Sequence, residues 1–397
     1  MNIDFYGQLQ HKCKKYSVKY GKFNLSGIVR ILIFFVQYSI FKLPFLILEN
    51  IKSEIFYSRK KQSKVLFIAS GGIGDFCIVA NYIEYFYKFS KIKHIDVCDV
   101  NPNKKILQTV FAANYITCTE LDNGINYDIV IELRFRFPKV VKVSKNVKRV
   151  NPKLYGLLTK YKTFYKENSY FYDSISASSV NRYCLLRGQK RIQQPDLYGI
   201  LNIKEDYLQP LKISLNEESV LEKFNLSGKA FIVIHKGTDA AFVSRNSTKE
   251  WGVAQFNELV VLLKKKYASY PLVQLGTDLN DKIKGIDFDL RGKTSLEELK
   301  VLLKRAKMLI DQEGGYVHLR KFLGGKTSVV IFGPTDPNVY GYEGNISIRA
   351  NDTCPIVCEW ITDDWMKKCL RQDSGVPCME AVTAKRVFDE IQKSGVI

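Results

Sequence analysis

The sequence predicts an α/β protein made of two parallel-sheet domains in series, and three observations carry that expectation. Residues 65–75 read VLFIASGGIGD, an apolar run that enters a glycine turn and then an acid, with a helical continuation from Phe76 to Phe89. Residues 127–133 read YDIVIEL, a strand-like run that ends at charged residues. From Ala230 to Thr335, apolar runs of strand length alternate with helix-length stretches and with glycine turns. Strand, turn and helix in strict alternation build a parallel sheet covered on both faces. Ligands then lie outside the carboxyl ends of the strands.

In the first half, Val65–Ala69 is the opening strand, and Gly71, Gly72 and Gly74 allow a tight turn with room beside it. Asp75 falls at the start of the next helix, where it either caps that helix or points into a cleft. Strands are expected at 92–97, 115–119 and 127–133, and a helix at 101–111. Glu132, Arg134 and Arg136 close the last strand, where a binding loop belongs; the two arginines either anchor an anionic acceptor or form a solvated rim. Residues 139–149 are basic, and 151–205, rich in Tyr, Lys, Ser and Asn, read as irregular helices and loops.

In the second half, strands are expected at 230–235, 271–275, 288–290, 307–311 and 328–332, and helices at 256–265, 295–304 and 316–323. Ser295 fits an N-cap, and Glu297 and Glu298 favour the positive end of that helix. Several features suit a phosphorylated nucleotide. Lys236, Gly237 and Thr238 follow the first strand; Lys249 offers a point charge and Trp251 an apolar wall. Glu313, Gly314 and Gly315 precede a helix whose free N–H groups can face an anion, with Glu313 suited to ligand hydroxyls. Gly333, Pro334 and Thr335 form another turn at the same crevice. His318, one turn into its helix, either supports the helix or touches ligand.

The chain of 397 residues carries 60 Lys and Arg against 40 Asp and Glu, a formal charge of +20. That excess favours an anionic partner: a phosphorylated small molecule or an anionic membrane surface. Nucleic acid is disfavoured, because the charge is thinly spread lysine without a recognisable reading module. The first 27 residues are polar and basic and do not read as a signal peptide, so the expected location is cytoplasmic. Residues 28–48 read IVRILIFFVQYSIFKLPFLIL, apolar but interrupted by Arg30, Gln37, Lys42 and Pro44. An interfacial helix or a docked hydrophobic hairpin fits better than a span; a buried helix pair or a homo-oligomer contact is the alternative. The expected domains are therefore an N-terminal hydrophobic and basic extension (1–60), a first α/β domain (61–205) and a second (206–397).

The chain has nine cysteines, and four lie within 25 residues: Cys354, Cys358, Cys369 and Cys378, separated by 3, 10 and 8 residues. That cluster is expected to hold a structural Zn or Fe, or else to pack as reduced thiols or form a labile disulfide.

Collinear motifs then resemble one family, the inverting ADP-heptose:lipopolysaccharide heptosyltransferases of glycosyltransferase family 9, including the branch that acts on autotransporter adhesins. Ser70–Asp75 is similar to its small-residue loop ending in Gly-Asp. His235–Trp251 is similar to its strand, turn and Lys-x-Trp element, and Gly292–Leu296, with Thr294, to its segment beside the nucleotide. Gln312–Leu319 is similar to its Asp-Ser/Thr-Gly-x-x-His-Leu element, with Glu313 in place of Asp and Gly314 in place of the hydroxyl residue. Phe332–Pro337 is the closest match.

The resemblance implies a GT-B fold, two Rossmann-like domains facing a central cleft, and transfer of a heptose or related sugar from a nucleotide-sugar. It implies Asp75 as catalytic base, Lys249 at the phosphates and no catalytic metal. Gly72, Gly74, Lys236, Gly237, Thr238, Trp251, Thr294, Glu313, Gly314, Gly315, His318, Gly333 and Thr335 would line the donor site. It also implies a four-cysteine iron site in some members. The acceptor would be a cell-surface or lipid-linked glycan met at the inner membrane face, with a protein serine as the alternative. An oxidoreductase is disfavoured, because Gly71-Gly72-x-Gly74 lacks the GxGxxG spacing. A non-catalytic nucleotide-binding protein is the remaining alternative.

Overall fold

The computed structural model describes residues 33, 36, 63–100, 116–119, 126–134, 138–168, 183–196, 199–204, 211–237, 247–362, 364–371 and 375–397. The extension at 1–60 (apart from 33 and 36), the helix expected at 101–111, Arg136 and Thr238 lie outside these residues.

The first unit opens with β1 (Val65–Ser70), α1 (Ile73–Ser90), β2 (Ile95–Asp99), β3 (Ile116–Thr119) and β4 (Ile129–Arg134). It continues with β5 (Lys139–Val143), α2 (Lys145–Val150) and α3 (Pro152–Glu167). Its sheet has the order β3-β2-β1-β4-β5, parallel except for antiparallel β5. The period-2 rule explains how β1 is buried on both faces. Val65, Phe67 and Ala69 enter the main core, while Leu66 and Ile68 enter a smaller cluster on the opposite face.

A 3-10 turn, Arg191–Asp196, lies in the segment that leads to the second unit. There α4 (Glu217–Lys223), β6 (Ile232–His235), α5 (Val253–Lys266), β7 (Leu272–Leu275) and β8 (Phe288–Asp289) come first. They are followed by α6 (Leu296–Arg305), β9 (Met308–Gln312), α7 (Gly315–Phe322), β10 (Ser328–Phe332), α8 (Pro337–Tyr340), β11 (Ile346–Arg349), α9 (Pro377–Glu380) and α10 (Ala384–Ser394). The second sheet is parallel, in the order β11-β10-β9-β6-β7-β8. Val233 faces the main core, and Ile232 and Ile234 face a second core that also holds Trp251 and Phe256. The main core runs through both units, from Val65 and Phe67 to Phe231 and Val330.

Two features differ from the sequence expectation. The stretch after 151 contains a regular 16-residue helix, α3, with Asn151 accepting from Leu154 N as its cap and Pro152 at its start. Leu154, Leu157, Leu158 and Tyr161 form its buried stripe. Residues 139–149, read only as basic, form β5 and most of α2. Ser295 caps α6 as expected, with Glu298 returning to the Ser295 N–H.

Each sheet has a switch point, where the chain moves to the other side of its first strand: between β1 and β4, and between β6 and β9. α1 and α7, which leave the carboxyl ends of β1 and β9, pack against each other. This contact brings the two switch points together.

Candidate active site

Glycine makes the approach of α1 and α7 possible. A Cβ on Gly74 would stand 2.6 Å from His318 Cδ2, and one on Gly315 would stand 3.4 Å from Ile73 Cβ. At the first switch point, Gly71 has φ +144°, and a Cβ there would meet Asp75 at 2.5 Å. The turn thus folds back on the carboxylate that follows it.

Asp75 makes the helix-capping contact that its sequence position offers and is also held from a second side. Its Oδ2 accepts from the Gly72 N–H at 3.0 Å, the helix-capping bond. Its Oδ1 accepts from Arg191 Nη2 at 2.8 Å, and its side chain remains 29% exposed. Arg191 carried no sequence signal, because it lies in an irregular stretch 116 positions away. Burial alone would pull its guanidinium pKa down, but the charge of Asp75 reverses that and raises it.

At the second switch point, Glu313 is the hub. It is ion-paired with Lys249, accepts from Thr335 Oγ1 at 3.3 Å, and lies 3.7 Å from His318 Nε2. His318 Nδ1 pairs with Tyr342 OH at 2.6 Å. Burial pushes the Glu313 carboxyl up, yet Lys249 and His318 outweigh it and bring it down to about 2. Lys249 also lies over the Trp365 ring, 5.8 Å from its centroid. Gly314 caps α7 and, with Gly315, brings free helix N–H groups to the same place.

Next to this hub, His235 at the end of β6 pairs through Nδ1 with Asp311 Oδ1 at 2.9 Å and stacks on Tyr316 at 4.2 Å. Gln312 Nε2 donates to the Gly237 carbonyl. Asp311 Oδ2 and Gln312 Oε1 are buried without a hydrogen-bond partner among the described residues. Lys236 is buried and paired with Asp281 at 2.7 Å and with Glu250 at 3.4 Å.

Other candidate residues lie elsewhere. The indole of Trp251 is fully buried in the second core; its Nε1 donates to the Val382 carbonyl at 2.7 Å, and its ring meets Phe256 edge-on at 4.6 Å. Thr294 stands half-buried just before the α6 cap. Gly333 leaves space that the Met379 side chain fills.

The expected four-cysteine metal site is corrected. Among the described residues, no group of three or more His, Cys, Asp or Glu is placed to hold a metal ion. Cys354 and Cys378 instead pack in the second core beside Ile348 and Met379. Cys358 opens a short 3-10 turn, and Cys369 stands half-buried. Burial pushes the Cys378 thiol up to about 12 and raises that of Cys358, so both pack as neutral thiols.

Residues 124–372 match the model of glycosyltransferase family 9 (heptosyltransferase). The chain belongs to this family. The family 9 match covers every residue of the Glu313 hub and stops short of Asp75. No curated protein sequence matches the chain.

Among solved structures, the chain resembles the iron-containing dodecameric heptosyltransferase TibC in complex with ADP-D-β-D-heptose. Identity is 15% and the TM-score 0.57, over 84% of this chain and 77% of that one. It also resembles TibC from enterotoxigenic E. coli H10407, at 16% identity and TM-score 0.56, over 84% and 76%. A family 9 glycosyltransferase from Veillonella parvula DSM 2008 is similar at 14% identity and TM-score 0.52, over 84% and 97%. The two sheet-and-helix units are consistent with GT-B-like architecture.

Proposed function

We propose that this family 9 enzyme moves a heptose, with inversion, from an ADP-linked donor to a hydroxyl of a cell-surface or lipid-linked glycan. The observation that carries this reading is the meeting of the switch points. Asp75 stands on one, the Glu313–Lys249–His318 group stands on the other, and Gly74 removes any side chain between its own turn and His318. TibC, similar in fold, binds ADP-D-β-D-heptose, and we assign the same class of donor here.

In this reading, residues 61–205 form the acceptor side and 206–397 the donor side. The acceptor oxygen attacks the anomeric carbon and forms the new C–O bond, while its proton passes to the Asp75 carboxylate. The bond from the anomeric carbon to the diphosphate oxygen breaks, and its electron pair leaves on the diphosphate from the opposite face. Lys249 and the α7 N–H groups stabilise the charge that builds there. Glu313 accepts hydrogen bonds from sugar or ribose hydroxyls. The test is a panel of nucleotide-sugars incubated with the full-length chain, with release of nucleoside diphosphate as the readout. ADP-heptose is expected to be turned over fastest, and a faster UDP- or GDP-sugar would reject the donor assignment.

The acceptor reading places the enzyme on the inner membrane surface. Residues 139–166 hold nine Lys and Arg and no Asp or Glu. Lys145, Lys148, Arg149, Lys153, Lys160, Lys162 and Lys166 are exposed along α2 and α3. Each cation at an anionic leaflet adds about 1 kcal/mol of attraction. Among the described residues, no helix is long and apolar enough to cross a membrane. Co-sedimentation with phosphatidylglycerol-containing vesicles, but not with pure phosphatidylcholine, is the expected outcome.

A further inference from the structure

The capping bond from Gly72 explains one oxygen of Asp75; the other is held from outside the first sheet and its helices. Arg191 donates from Nη2 to Asp75 Oδ1 at 2.8 Å, and its side chain is only 10% exposed. A buried guanidinium is costly unless its charge is met, so the partner matters. The turn that carries it is anchored from several directions. Arg191 Nη1 donates to Gln194, and the buried Asp196 carboxylate accepts from Leu201 N at 2.9 Å and Ile203 N at 3.1 Å. The turn packs on α1 of the first unit and on α8 of the second. Tyr340 in α8 donates to Glu359, and both lie within electrostatic reach of Arg191.

We propose that Arg191 is a positioning residue. It fixes the plane of the Asp75 carboxylate and ties it to the segment between the units, so that the base is aligned only when both units are in place. This rests on the reading of Asp75 as the base. Each carboxylate oxygen has about two acceptor sites. Gly72 and Arg191 take one on each oxygen, which leaves a second free for an acceptor hydroxyl. A general base must first be in reach and in line, and a misplacement of about 1 Å costs on the order of 100-fold in rate.

The test uses the full-length chain and ADP-heptose as the probe, with water as the acceptor. ADP release gives kcat and KM, and calorimetry gives ADP affinity. Arg191→Gln is expected to lower kcat by about 10- to 100-fold, with KM and ADP affinity unchanged. Arg191→Lys keeps the charge but loses the planar fork, and recovers part of the rate. In an Asp75→Asn background, Arg191→Gln causes no further loss, because Arg191 acts through that carboxylate.

An unchanged kcat in Arg191→Gln beside an inactive Asp75→Asn overturns the role of Arg191 and leaves the base standing; additive losses in the double variant do the same. An unchanged kcat in Asp75→Asn overturns the base and this proposal with it, as does a wild-type chain that releases no ADP from ADP-heptose. If Arg191→Gln does not fold, Arg191→Lys decides: a lower kcat at constant KM supports the proposal, and full activity rejects it.

Discussion

The two switch points do similar geometric work with opposite amounts of structure. The first offers a single carboxylate, held by one backbone N–H and one arginine from the connecting segment, with 29% of its side chain open. The second offers a buried network in which Lys249, Glu313, His318, Tyr342 and Thr335 fix one another. A general base must receive a proton and release it again, and it needs access to an acceptor. A donor site must stabilise charge without reorganising, and fixed, desolvated groups do that best. The family match spans the whole dense site and, of the sparse one, Arg191 but not Asp75.

The comparison breaks most readily at Asp75. Asp75→Asn should lower turnover of ADP-heptose by roughly 10²–10⁴-fold, the usual yield of a general base, with ADP affinity retained in calorimetry. Loss of ADP binding together with rate would move Asp75 to the donor side.

Glu313→Gln tests the dense site. It leaves the half-buried Lys249 without its counter-charge, and breaking a largely buried pair of this kind costs up to about 3–5 kcal/mol of unfolding free energy, readable by denaturant titration. The same group sets an acid limit. The folded value of Glu313 is depressed to about 2 from an ordinary 4.5. Its contribution is therefore complete above about pH 4.5 and is lost as the pH falls towards 2, on the order of 3 kcal/mol in all. Glu313→Gln should flatten that part of the stability–pH curve, and an unchanged curve would mean that Glu313 is not depressed.

Gly74→Ala sharpens the contact between the sites. The added methyl meets the His318 ring at 2.6 Å, and such overpacking costs about 1–3 kcal/mol. The loss should fall on both stability and turnover, and a loss of stability alone would separate this contact from the chemistry. The smallest effect belongs to Trp251→Phe. It forfeits one buried hydrogen bond to Val382, about 1 kcal/mol, with donor affinity unchanged. Weakened ADP binding would return Trp251 to the nucleotide wall.

The backbone plan was legible because it rests on local pattern. Val65–Ala69, Ser328–Phe332 and the Ser295 cap all announce themselves through apolar runs, glycine turns and capping chemistry. The helix α3 was missed although its i, i+3, i+4, i+7 stripe was present. Gly156, Thr159, Thr163 and several aromatics weaken its local propensity, and tertiary burial of the stripe overrides them.

Three of the proposed site residues carry a sequence signal: Asp75 and Glu313 come after strand ends, and Lys249 stands in a loop just before α5. Arg191, Tyr342 and Asp311 carry none, because their partners lie far off in sequence: Arg191 meets Asp75 through the packing of the connecting turn on α1, Tyr342 meets His318 of α7, and Asp311 meets His235 across the paired strands β9 and β6. Trp251, expected as an apolar wall for a ligand, lies in the core for a related reason: a large aromatic near a lysine looks the same in sequence whether it faces ligand or core. The cysteines show the limit of spacing, since four thiols can lie within electrostatic reach of one another and still not take up the geometry of metal ligands.

The Lys249–Glu313 pair has a consequence for selectivity. A lysine that already holds its own counter-ion gives a bare phosphate little reason to enter, because the anion must first dislodge a buried carboxylate. A ligand with phosphate oxygens at one end and hydroxyls at the other can satisfy both partners as it separates them. In the proposed donor reading, the pair works as a two-key lock, opened by a sugar joined to a diphosphate and closed to free phosphate.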